Sequence, residues 1–175
     1  STVGSTDPDD VSTLDIWLID ADGQNPRKVA DSGGQDEDPV FSADSQTIYY
    51  AAGGGECYAL WEVGVEEGSK AKPLLDAGGK IVCGEDPSLS PDGRELYYWG
   101  NQNGQFQALN LSTKEISFLS YDAMEPWIGS DGERFVYVVD LDFKAGGDIY
   151  ISSLNGENPV QLTSGKKDMF PRWAP

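Results

Sequence analysis

The sequence predicts an all-β protein, a β-propeller of four four-stranded blades. Three observations predict it. A strand–turn–strand unit recurs at Pro39, Pro87, Pro126 and Pro171, spaced 48, 39 and 45 residues apart. A large apolar residue stands two positions after each proline: Phe41, Leu89, Ile128 and Trp173. No stretch of useful length carries a 3.6-residue apolar period, so almost no helix is expected. Repeats of about 40–45 residues, each holding four short strands, are the pattern of propeller blades.

The clearest copy is 86–100, DPSLSPDGRELYYWG. An acidic lead-in and a proline open a short strand. Ser-Pro-Asp-Gly then turns the chain, with Pro91 presetting φ and Gly93 supplying a permissive backbone. An aromatic strand follows. In chain order, residues 1–6 are strand-like and 7–13 form an acidic loop. Residues 15–20, DIWLID, are β-branched and aromatic and read as a strand. Asp22-Gly23 turns into a strand over 27–30, and the first copy of the unit, PVFSADSQTIYYAA, begins at Pro39 after an acidic loop at 33–38.

A glycine loop at 53–55 leads past Cys57 into a strand at 58–65, with a short one at 72–75. Cys83, Glu85 and Asp86 introduce the second copy. Strands at 106–111 and 115–120 follow it. The third copy, PWIGSDGERFVYVVD, turns at Ser130-Asp131-Gly132. Residues 148–154 and 159–164 flank an Asn155-Gly156 hairpin, and PRWAP opens the fourth copy. The expected blades are 1–32 plus 168–175, 36–76, 84–120 and 123–164, together one domain over 1–175.

These residues resemble the TolB-type (WD40-like) β-propeller repeat. Ser90, Pro91, Asp92 and Gly93 match its turn; Asp168, Pro171, Trp173 and Pro175 match its opening; DIYISSLNGENPVQLT at 148–163 and residues 15–29 match its later strands. Ala43, Ser45 and Gly129 depart from the turn pattern, and Gly84 and Ala123 replace the usual acidic lead-in. With the strands of a blade taken from inside out, the chain ends on a first strand, 170–174, and starts on a second, 1–6. Their pairing would complete one mixed blade and hide two edges. A closed four-bladed ring, a piece of a larger ring, and two copies forming an eight-bladed ring all remain open. The resemblance implies a periplasmic or cell-surface protein that holds partners within an envelope assembly.

The formal charge is −18, from 30 acids and 12 bases. That balance disfavours nucleic acid and anionic lipid. It suits a cationic partner, divalent ions or a salty medium, besides the plain role of keeping the chain soluble. No apolar run approaches the length that spans a bilayer. No signal peptide is visible, and the first residue is Ser1, which is read as a processed or excised chain.

Cys57 and Cys83 lack metal-ligand spacing and are expected to pair, which places the protein outside a reducing cytosol. Loops before the first strand and between the second and third emerge on one face, which makes the pairing feasible. The same face collects acids: Asp36, Glu37, Asp38, Glu85, Asp86, Asp122, Glu125 and Asp168, with Asp7, Asp9 and Asp10 from another loop.

Converging carboxylates need a basic partner, protonation or a cation. For a hard cation such as Ca²⁺ the candidate ligands are Asp36, Asp38, Asp86 and Asp168. For a protein or peptide the face is Asp36, Glu37, Glu85, Asp86, Asp122, Glu125 and Asp168. The competing role for each lead-in acid is to accept backbone N–H bonds. Lys166 and Lys167 are placed to neutralise part of the cluster.

With no histidine, Ser-His-Asp and Cys-His catalysis is excluded. Residues 53–55 lack the lysine and helix of a phosphate loop. No carboxylate pair is singled out for glycoside hydrolysis. Trp17, Tyr49, Tyr50, Trp61, Tyr97, Tyr98, Trp99 and Tyr137 lie in strands and are expected to pack between blades. The sequence thus reads as a non-catalytic binding scaffold. Its rivals are a structural subunit of a larger assembly and the propeller part of a hydrolase or peptidase.

Overall fold

The computed structural model describes residues 2–3, 14–53, 56–100, 104–121, 123–142 and 146–173. Fifteen strands and no helix are present among them. The chain divides into two compact units, Ser1–Pro87 and Ser88–Pro175.

The first unit carries two antiparallel sheets. One has three strands in the order β1 (Thr2–Val3), β2 (Leu14–Leu18) and β3 (Arg27–Ala30). The other has four: β4 (Asp36–Phe41), β5 (Thr47–Ala52), β6 (Ala59–Gly64) and β7 (Lys72–Pro73). β5 reads TIYYAA and is buried on both faces, as a strand must be when side chains from both sides meet other layers. Its Ile48, Tyr50 and Ala52 join Val63 of β6 and Ile16 and Ala30 of the first sheet in one apolar core.

The third sheet runs β8 (Glu85–Leu89), β9 (Glu95–Gly100), β10 (Gln105–Asn110) and β11 (Ile116–Tyr121). The fourth runs β12 (Met124–Ile128), β13 (Arg134–Asp142), β14 (Gly146–Ser153) and β15 (Val160–Gln161). In the second unit Tyr97, Phe106 and Ala108 pack with Ala123, Ile128, Phe135 and Tyr137. The Phe106 and Phe135 rings lie 4.6 Å apart, and Phe135 stacks on Tyr137 at the same distance. Such offset aromatic pairs add about 0.5–1.5 kcal/mol beyond area burial.

The turns show why the repeat sequence works. Ser90 Oγ accepts the amides of Arg94 and Glu95 and donates to Asp92, while Gly93 N–H bonds the Ser90 carbonyl. Gly93 has φ +72°. In the first copy Ser42 does the same for Thr47 and Asp44, and Ser45 takes the left-handed position at φ +58°. The Ala43 and Ser45 departures therefore leave the turn intact.

The structure differs from expectation at two places. Residues 170–173 form no strand, and the first sheet has three strands rather than four among the described residues. Within the second unit, Trp173 Nε1 donates to the Trp127 carbonyl at 3.1 Å, and the Phe170 amide donates to Glu125. Within the expected strand pair, Ala174 and most of 1–6 fall outside the described residues. Trp17 is also not enclosed. It is 38% exposed, with the Lys28 ammonium 6.0 Å from its ring centroid, because β2 turns this side chain away from the core that Ile16 enters.

Candidate acidic binding face

A backbone device repeated four times places the acids. The residue before each repeat proline has a left-handed backbone: Asp38 at φ +53°, Asp86 at +50°, Glu125 at +50° and Phe170 at +55°. In β4 and β12 the pairing register also breaks at this point, between Glu37 and Val40 and between Met124 and Trp127. Each break is a bulge that bends the strand start and re-aims its side chains. Aspartate tolerates φ > 0 better than most residues. An acid at this position thus serves the backbone as well as the surface. Sequence reasoning missed this role, although the acid-Pro pair at three of the four copies was its signal.

In the first unit, the acids separate into an enclosed group and an open one. Asp36 is fully buried. Its Oδ2 accepts the Ser32 amide at 2.9 Å, and its Oδ1 has no hydrogen-bond partner among the described residues. Burial pushes its carboxyl up, the Ser32 bonds oppose this, and nearby Asp15 and Asp31 push it further. Lys28 reaches Asp15 at 2.8 Å and Asp31 at 2.9 Å. Tyr50 beneath has its phenol pushed well up, by burial first and then by Asp36. Asp36 therefore belongs to the blade interior and does not line an accessible face.

The open group is Glu37, Asp38 and Glu85, gathered about Tyr58. Burial pushes the Glu37 carboxyl up, the charges of Asp38 and Glu85 push it further, and a hydrogen bond with Tyr58 works the other way. Burial also raises the Tyr58 phenol, followed by Glu37, Glu85 and Asp38. The Tyr58 hydroxyl donates to Gln35 Oε1. Next to Tyr58, the expected disulfide is present: Cys57 and Cys83 are bonded with their Cα atoms 5.9 Å apart. The Ala59↔Cys83 bridge and the Gly84 amide on the Tyr58 carbonyl at 2.9 Å run alongside it. Asp86 is half-buried at the start of β8.

In the second unit, Glu125 is 7% exposed, and its carboxylate accepts the Phe170 amide. The Asp168 backbone exchanges two bonds with Gly147, at 2.9 and 3.0 Å. Asp148 Oδ1 accepts the Lys166 amide, and the Lys166 and Lys167 side chains are exposed. Asp7, Asp9, Asp10 and Asp122 lie outside the described residues. Asp36 and Glu125 thus do what was set out as the competing role for lead-in acids: they accept backbone N–H bonds. Among the described residues no group of three or more Asp, Glu, Cys or His could hold a metal ion. Asp36, Asp38 and Asp86 do not form one, since Asp36 is enclosed while Asp38 is exposed.

No protein-family model and no curated protein sequence matches the chain. Solved structures do. TolB from Acinetobacter baumannii superposes with a TM-score of 0.67 at 22% identity, over 85% of this chain and 37% of that one. The fold is that of TolB-like propeller repeats. A protein assigned as TolB from Agrobacterium tumefaciens gives 0.63 at 18% identity, over 85% of this chain and 56% of that one. A prolyl endopeptidase gives 0.59 at 12% identity, over 90% of this chain and 27% of that one. The chain thus spans about a third to a little over half of the TolB chains it matches.

Proposed function

We propose that this chain is a non-catalytic propeller scaffold that takes a basic segment of a protein partner at the face built on Glu37, Asp38 and Glu85 around Tyr58. One observation carries the reading. The charged groups that act on Glu37 are themselves acids, so a half-buried carboxylate is held where like charges raise its cost. A lysine or arginine from a partner relieves that cost and gains charge-assisted hydrogen bonds. Asp86 extends the proposed face, and Asp36 supports it from within.

The absence of histidine leaves no general base of the usual kind, which favours binding over catalysis. The disulfide and the TolB-like fold favour an oxidising compartment, periplasmic or extracellular. A Lys- and Arg-rich peptide tests the reading. It should bind in 20 mM salt and lose about tenfold or more in affinity for the Glu37→Gln, Glu85→Gln double variant, with circular dichroism unchanged. Equal binding by that variant would sink the proposal.

The likeness to a prolyl endopeptidase favours a second reading, the propeller part of a peptidase. It predicts that a separately made hydrolase domain co-elutes with this chain.

A further inference from the structure

The turn between β10 and β11 holds the chain's one triplet of the form Asn-x-Ser/Thr with x other than proline: Asn110-Leu111-Ser112. The other asparagines, Asn25, Asn101, Asn103, Asn155 and Asn158, stand in no such triplet. Asn110 ends β10, and Ser112 and Thr113 are exposed at the tip of the hairpin. Two backbone bonds close the hairpin. The Asn110 amide donates to the Glu115 carbonyl at 2.9 Å, and the Lys114 amide donates to the Asn110 carbonyl at 2.8 Å. Lys114 takes the left-handed position at φ +64°.

The same loop orients the Asn110 side chain. Its Oδ1 accepts the amides of Ser112 at 3.0 Å and Thr113 at 2.9 Å. Two donors on one side fix which end of the side-chain amide is oxygen, since an NH₂ group there would set donor against donor. Nδ2 is therefore the end that faces away from those two amides. It donates no hydrogen bond among the described residues.

We propose that Asn110 is an attachment site for an N-linked glycan. The donor is an oligosaccharide carried on a polyprenyl diphosphate, handed over by a transferase. Nδ2 attacks C1 of the first sugar; the N–C1 bond forms and the C1–O bond to the diphosphate breaks. The electron pair of that bond leaves with the polyprenyl diphosphate, and the displaced Nδ2 proton passes to a base of the transferase. Nothing is oxidised or reduced. Ser112 supplies the hydroxyl required two residues after the asparagine. The product keeps Oδ1 as an acceptor, so both bonds that hold the turn survive. A bulky, solvated sugar fits an exposed hairpin tip. The Cys57–Cys83 disulfide points the same way, because both modifications belong to compartments outside the reducing cytosol. The site lies in the second unit and does not depend on the binding role proposed above.

The test uses the full chain as its own cells make it. Cleavage after Arg94 and Lys114 releases residues 95–114, the peptide that contains Asn110. It should carry the added mass of an oligosaccharide. A glycan amidase in heavy-oxygen water should remove that mass and leave the heavy oxygen at position 110. Ser112→Ala should abolish the added mass with circular dichroism unchanged, because it leaves both amide bonds to Oδ1 in place. Asn110→Gln should abolish it as well; if that variant does not fold, Ser112→Ala decides. Ser112→Thr should retain it. A 95–114 peptide without added mass overturns the proposal. So does a mass that resists the amidase or survives Ser112→Ala, since either result puts the sugar on a hydroxyl or on another residue.

Discussion

At Asp36 a carboxylate is enclosed with one oxygen on the Ser32 amide and the other without a partner among the described residues. Its folded pKa lies above the unfolded one, raised chiefly by burial. Its contribution to stability is therefore fully present below the unfolded value of about 3.9 and is lost as pH rises through the folded value. Asp36→Asn should raise the melting temperature near neutral pH, by roughly 2–4 °C if about 1 kcal/mol is recovered. The gain should shrink as pH falls to about 4, in melts recorded from pH 3.5 to 7.5. Phe170 is a second costly residue. It holds φ +55° before a proline while 62% exposed, at a position where the other copies carry Asp or Glu. A bulky residue there is strained by about 1–3 kcal/mol. Phe170→Gly should stabilise and Phe170→Val should not, as read by urea midpoints.

Among the elements, the fourth sheet depends most visibly on one side chain. Phe135 of β13 is fully buried between the Phe106 and Tyr137 rings. Phe135→Ala removes the middle of this stack and should cost about 3–5 kcal/mol in denaturant unfolding, with no change in peptide binding at the first unit. The strands themselves were legible because their signals are local. The 27–30 strand is β3 to the residue; the expected strand at 15–20 is found one residue earlier and shorter as β2, and that at 58–65 is found as β6, trimmed by one residue at each end. The expected strand at 170–174 is absent over its described residues, 170–173, and the partner expected for it at 1–6 lies mostly outside the described residues. In the structure the tail's bonds go to Glu125 and Trp127.

Across the whole molecule, net charge governs the response to salt. At −18 the folded state repels itself, and salt screens that repulsion within about 10 Å at 0.1 M. Raising NaCl from 0.05 to 0.5 M should therefore increase the melting temperature, while the same salt should weaken association with the basic peptide. A melting temperature that falls with salt would contradict the electrostatic account. The two expected trends oppose each other, so stability and binding can be told apart in one titration.

The amino-acid order alone determined the strand-rich fold, the four-fold repeat and the turn chemistry. Each follows from spacing and from backbone preferences that a residue carries with it, whereas the expected pairing of the two cysteines needed the tertiary structure to bring their Cα atoms to 5.9 Å. Which acids are enclosed and which are open was decided only by the tertiary structure. Asp36 and Glu37 are neighbours in sequence with the same charge, yet one is sealed against Ser32 and Tyr50 while the other meets Asp38, Glu85 and Tyr58. Successive strand residues point to opposite faces, and what each face meets is supplied by segments far along the chain.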